Sequence, residues 1–207
     1  MKAAPPVPST RQRLLDAAAR VFARDGLAGA TTRAIAREAG VNEVTLFRHF
    51  QTKEGLLSAV VGENFGGATA TSLPALPKPT ADLRTDLNRL ARHYDELLTA
   101  NLPLVRTMLG ELQHHHGDHE KMVFRAVFAP VKSALVARLK TAHQAGEVRP
   151  EFRADVLADL FGGMIFTGAI RRSSPDVKLD YSASAYRQAA VDLVLRGATI
   201  RLEGQSP

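Results

Sequence analysis

Between Thr31 and Leu57 the chain reads TTRAIAREAGVNEVTLFRHFQTKEGLL. Hydroxyls (Thr31, Thr32, Thr45), cations (Arg33, Arg37, Arg48, Lys53) and His49 alternate with apolar residues at regular intervals. Such groups donate hydrogen bonds to phosphate oxygens and base edges; they form no bond-breaking constellation. A second cluster, HHHGDHE, puts His114, His115, His116, His119 and Asp118 within six positions. These are zinc-type ligand atoms. Gly117 interrupts a helix there, and adjacent histidines on a helix point different ways. The cluster therefore reads as surface or pocket edge, with no metal and no cofactor expected. A metal-dependent hydrolase built on these histidines would be the enzymatic alternative. The sequence has no HExxH, no Ser-His-Asp spacing and no phosphate-cradling glycine loop, so no enzyme is expected.

These groups must be positioned by helices, because helical periodicity dominates and strand signals are nearly absent. Leu14, Ala18, Val21 and Phe22 line one face of a helix from Thr10 to Asp25, with Gly26 as its C-cap. Thr31 caps a second helix, which buries Ile35, Ala36 and Ala39 and ends at Gly40. Asn42 caps a third, Glu43 to Phe50, burying Leu46 and Phe50. A fourth opens in TKEGLLSAVVGENF. The Gly- and Pro-rich stretch from Gly66 to Ala81 interrupts the pattern. Further helices are expected from Thr80 or Asp82 to Ala100, and from Pro103 to about Gln113. Another runs from Lys121 to about Ala145, kinked at Pro130. The last two run from about Arg153 to Arg172 and from Ser182 to Arg196.

The composition fits this plan. The chain has 207 residues, 45% of them hydrophobic, a net charge of +6 and no cysteine. That is length enough for a small head and a larger body. The basic excess favours an anionic partner, and the lack of cysteine fits a reducing cytoplasm. From Thr10 to Gly55, eight basic residues face five acidic ones, so about half the excess lies in under a quarter of the length. The opening MKAAPPVPST has no apolar signal core and reads as a disordered arm over 1–9. The longest apolar run, Leu160 to Ile170, falls short of the roughly 20 residues needed to span a bilayer. No membrane partner is expected, and the cytoplasm is the expected location.

A short helix, a turn at Gly40–Val41–Asn42 and a second helix form a helix-turn-helix plan. Glu43, Val44, Thr45, Phe47, Arg48 and His49 escape the Leu46/Phe50 face. A helix so exposed fits the major groove, N-terminal residues toward base edges and later ones toward phosphates. Pattern alone leaves open that these are ordinary solvated residues of a small helical bundle.

The motifs TTRAIAREAGV, TLFRHF and KEGLL, in this order and spacing over about Arg11 to Ala59, resemble the DNA-binding head of the TetR family of bacterial transcriptional repressors. The resemblance implies an all-α fold: a three-helix helix-turn-helix head over 10–56 and a helical ligand-binding and dimerisation bundle over 57–207. It implies that Thr32 and Arg33 contact phosphate or a base, and that Glu43, Val44 and Thr45 face base edges. Phe47, Arg48, His49 and Lys53 would line the DNA backbone. Position 47 is usually tyrosine in this family. Phe47 keeps the ring and loses the hydroxyl's phosphate bond, worth about 1–2 kcal/mol. Glu43 can accept from a cytosine amino group but repels phosphate.

The body of such a protein supplies dimerisation and effector binding. One head reads few base pairs, so helix-turn-helix proteins pair to bind two half-sites. Gly162, Gly163, Gly168 and Ala169, with Ala185, Ala189, Val191, Leu193 and Val194, are candidates for a four-helix homodimer interface or for internal core. Tyr94, Met108, Leu112, Phe124, Phe128, Met164, Phe166 and Thr167 are candidates to line a cavity for a small, apolar effector. The expected function is a dimeric, ligand-responsive repressor on a palindromic double-stranded operator. The alternative is an architectural or division-control DNA-binding protein without a small ligand.

Overall fold

A computed structural model describes residues 8–65, 76–112, 121, 128–174 and 176–199. Among these residues the chain is all helical. The helices are α1 (Thr10–Gly29), α2 (Thr32–Glu38), α3 (Glu43–Phe50), α4 (Lys53–Phe65), α5 (Leu83–Ala100), α6 (Leu102–Leu112), α7 (Ala129–Gln144), α8 (Ala154–Arg172) and α9 (Ala183–Ala198). They form two compact units, one of residues 1–73 and 103–126, the other of 74–102 and 127–207.

In the first unit α1 packs on α2 and α4, and α3 packs on α2 and α4. Leu14, Val21, Phe22, Ile35, Leu46 and Leu56 are fully buried. Each such side chain contributes about 1.5–3 kcal/mol on burial. The Thr107 hydroxyl of α6 donates to the Phe22 carbonyl of α1 at 3.2 Å, so α6 also belongs to this unit. The expected boundary at 56/57 falls inside α4, which continues unbroken to Phe65.

Two helix limits differ from expectation. Gly26 has φ 72° and ψ 171°, as a helix break requires, yet one more turn follows it to Gly29. Leu27 is buried at 5% exposure, and that burial holds the extra turn in place. Pro130 lies in the first turn of α7, whose described residues begin at Ala129, and proline is well accommodated in a first helical turn.

In the second unit α5 packs against α7, α8 and α9, and α8 also packs on α7 and α9. The core is built from Leu87, Leu98, Leu135, Phe161, Ile165 and Val191. One buried ionic cluster ties three helices. The Asp95 carboxylate on α5 accepts from Arg172 of α8 and Arg187 of α9. The Arg172 guanidinium also lies 5.4 Å from the centre of the Tyr186 ring, and Tyr186 donates its hydroxyl to the Met164 carbonyl at 3.0 Å. Gly168 faces that ring so closely that any side chain would collide with it. Gly168 and the buried Ala169 thus serve internal packing of α8 on α9. After α7, the backbone pairs with the end of α9 through Arg149 N–H and the Ala198 carbonyl, 2.8 Å.

Candidate nucleic-acid interface

The head's local geometry follows from its caps. Thr31 Oγ1 accepts from Ala34 N–H at 3.1 Å and starts α2. Gly40, at φ +68°, takes the left-handed conformation that closes the turn. Asn42 Oδ1 accepts from Thr45 N–H at 2.8 Å and starts α3. Each cap satisfies a backbone donor that the helix itself leaves unpaired. Glu38 at the end of α2 accepts from Arg20 at 2.7 Å and Arg24 at 3.1 Å. This fastens α2 to α1 and, chiefly through the Arg20 hydrogen bond, holds the Glu38 carboxyl below its ordinary pKa.

With Leu46 and Phe50 buried, α3 presents its other side outward. Val44 is 68% exposed and Phe47 43%, both high for large apolar side chains. Arg48 and His49 are exposed as well, and Thr45 is partly so. An open concavity beside them is lined by Arg33, Arg37, Val41, Asn42 and Glu43. Arg37 was counted among the cations of this stretch but given no contact of its own. It has the same exposure and concavity as Arg33, and its only signal in the sequence was charge one helical turn further on.

Four expected contact residues, Thr32, Glu43, Thr45 and Lys53, are engaged within the chain. Thr32 donates to Glu43 Oε1 at 2.5 Å, joining the first turn of α2 to that of α3. The Thr45 hydroxyl donates to Asn42 Oδ1 at 2.7 Å, and so shares the cap. The Lys53 ammonium donates to the Leu27 carbonyl at the end of α1. An ammonium keeps two further donors after one such bond. The joint from α3 to α4 is two residues, Gln51 and Thr52. Gln51 adopts φ 64° and ψ −47°, and Thr52 N–H bonds the Phe50 carbonyl at 2.7 Å, closing a γ-turn. Gly55 then passes so near the Phe50 carbonyl that no side chain fits there.

The eight residues expected to line an effector cavity are not gathered by the structure into one described cavity. Met108 is buried in the first unit. Tyr94 is buried in the second, its hydroxyl without a hydrogen-bond partner among the described residues and its pKa pushed up by burial. Phe128 and Phe166 stack obliquely at 5.1 Å. Met164 is half-buried and Thr167 exposed. The Leu112 side chain, Phe124 and the histidine stretch 114–119 lie outside the described residues. Among those described, no group of three His, Cys, Asp or Glu is placed to hold a metal ion. The second unit instead contains a cavity of about 390 Å³ between the 77–80 segment, α5 and α7. No helix among the described residues is long and apolar enough to cross a membrane.

A helix-turn-helix head joined to a second helical unit defines a class of DNA-binding regulators. Residues 14–60 match the family model of bacterial regulatory proteins, tetR family, and residues 77–197 match that of the tetracyclin repressor-like C-terminal domain. The chain is 31% identical over 176 residues to the HTH-type transcriptional regulator YvkB of Bacillus subtilis, covering 79% of this chain and 82% of that one. It is 28% identical to the nicotine-responsive repressor HdnoR of Paenarthrobacter nicotinovorans over 70% of this chain and 76% of that protein. Its fold matches FadR of Bacillus subtilis, solved with stearoyl-CoA, with a TM-score of 0.73 at 22% identity, over 89% of this chain and 97% of that one. The chain belongs to the TetR family of bacterial transcriptional regulators. It is a DNA-binding regulator and not an enzyme.

Proposed function

We propose that this regulator is a repressor: it binds a palindromic operator as a homodimer and leaves it when a small effector occupies the body. The observation that carries the DNA half is the outward face of α3, where Val44 and Phe47 stand in solvent beside Arg48 and His49. Val44 and Thr45 face base edges, with Glu43 held against Thr32 at the edge of the reading surface. Arg33, Arg37, Arg48, His49 and Lys53 meet phosphates, and Phe47 packs on the backbone. Such contacts position the protein by charge and leave the reading to few side chains.

Pairing is supported by two exposed stripes. On α8 they are Val156 (47%), Leu160 (59%), Gly163 and Thr167; on α9, Ala185, Ala189 and Leu193 (68%). Spacings of three and four residues put each set along one face of its helix. The two helices pack on each other, and a second copy of the pair completes a four-helix interface. Val191 and Val194 face inward and serve the core. Repressor function and a small effector are supported by the relatives, one nicotine-responsive and one solved with stearoyl-CoA. Release follows when the effector binds the non-DNA state more tightly. Acting on DNA places the protein in the bacterial cytoplasm.

The test is genome-wide protection of DNA by the purified chain at fixed salt. One or a few strong palindromes are expected. Many scattered sites of equal strength would point to an architectural protein, and no protection would overturn the reading.

A further inference from the structure

The cavity of about 390 Å³ in the second unit is lined by apolar Pro77, Pro79, Leu90, Ala134 and Ala137, and by the cations Lys78 and Arg138. Its size lies toward the lower end of small-molecule sites, roughly 300–1,000 Å³. Arg138 is 7% exposed and Asp86 3%, so a charged pair is buried in the wall. Arg138 Nε donates to Asp86 Oδ2 at 2.5 Å. Asp86 Oδ1 takes two further donors, Thr80 N–H and Thr80 Oγ1, both at 2.8 Å. The carboxylate is thereby supplied on both oxygens and is a poor partner for a cationic ligand.

The guanidinium is in the opposite condition. Among the described residues its hydrogen bond is made through Nε, and the Nη hydrogens have no protein acceptor. Glu147 stands 3.9 Å from Nη2, beyond hydrogen-bond reach, 42% exposed and outside the cavity lining. A guanidinium held at one edge offers the other as a planar two-pronged donor, which matches a carboxylate. With Asp86 set against Arg138, Lys78 leaves one positive charge in excess around the cavity, enough for a monoanion. We propose that this cavity binds a monocarboxylate carried on an apolar body, with Arg138 and Lys78 gripping the carboxylate and Leu90, Ala134 and Ala137 covering the apolar part. The proposal deepens the reading of the chain as an effector-responsive regulator, and rests on it for the consequence of binding.

Calorimetric titration of the full-length protein with hexanoate, octanoate and decanoate tests it, with octanamide and octylamine as uncharged and cationic counterparts. Removing Arg138 would strand Asp86 in the interior, so the informative variants are others. Ala137→Phe fills the cavity, Lys78→Met removes the exposed cation, and Glu147→Gln removes the competing carboxylate. At least one carboxylate binds saturably. The amide and amine bind at least about tenfold more weakly, the size expected for one charge-assisted contact. Ala137→Phe and Lys78→Met each weaken carboxylate binding by about tenfold or more at unchanged helicity, and Glu147→Gln does not weaken it. Binding of none of the three acids at millimolar concentration, equal binding of acid and amide, or binding untouched by Ala137→Phe overturns the proposal. A protein that protects an operator but ignores carboxylates loses only this ligand class. One that binds carboxylates but protects no DNA keeps the site and loses the repressor reading.

Discussion

At the residue scale the clearest experiment is at position 47. The Phe47 ring is 43% exposed on the outer face of α3 and carries no hydroxyl. Phe47→Tyr restores a phosphate donor and is expected to tighten operator binding by about tenfold; unchanged affinity in a mobility-shift titration would place the ring away from the backbone. Arg48→Ala acts through charge alone. It weakens binding to every sequence alike and lowers the slope of log affinity against log salt by about one. The types of these residues were readable in the sequence, because their spacing left them off the Leu46/Phe50 face. Their engagements were not. The bond from Thr32 to Glu43 joins side chains eleven positions apart, and it exists only once two helices have set their angle. The same holds for Lys53 at the Leu27 carbonyl.

At the element scale, caps and ionic ties set stability. Asp82 caps α5, accepting from Thr85 N–H at 2.8 Å. Its pKa is lowered, first by the Thr85 side chain and then by the Thr85 backbone. A depressed carboxyl contributes fully above its ordinary value of 3.8 and loses that contribution as pH falls below it through the folded value. Asp82→Ala should therefore cost about 1 kcal/mol near neutrality, and urea melts of the two proteins should converge in acid. A gap that persists unchanged would assign the loss to something other than the ionised cap. Asp95 makes a larger demand. Asp95→Ala leaves the partly buried cations Arg172 and Arg187 without their anion, and roughly 3 kcal/mol of stability is expected to go. A loss under 1 kcal/mol in denaturant titration would show that water reaches both guanidinium groups. Helical periodicity in the sequence located α5, α8 and α9 themselves, because apolar residues recur with a 3.6-residue period. It passed over Asp95, since a polar residue on an apolar stripe looks like an exception until its partners arrive from 77 and 92 positions away.

At the scale of the whole molecule, the proposed repressor works as two copies. Leu160→Glu with Leu193→Glu puts charges on the two exposed stripes without touching the core. The variant should fold, sediment as a monomer and lose operator affinity far more than it loses helicity. A dimer that survives both changes would move the interface elsewhere. The small residues of α8 illustrate what pattern reading confuses at this scale. Gly168 permits close approach, as its type suggested, but the neighbour is Tyr186 of the same chain. Gly163, five positions earlier, meets nothing and remains available to a partner. The cavity of the second unit was not legible either: its walls are prolines, alanines and a buried ion pair that no helical period distinguishes.

The two-residue joint at Gln51 and Thr52 also limits what evolution or an engineer can do with this head. A loop absorbs an added residue; a γ-turn has none to spare. One residue inserted between Phe50 and Lys53 would break the turn closed by Thr52 N–H on the Phe50 carbonyl and displace the start of α4. Leu56, Leu57, Val60 and Val61 would then swing off the core together. Homologous heads compatible with this packing should accordingly not vary in length across 51–52.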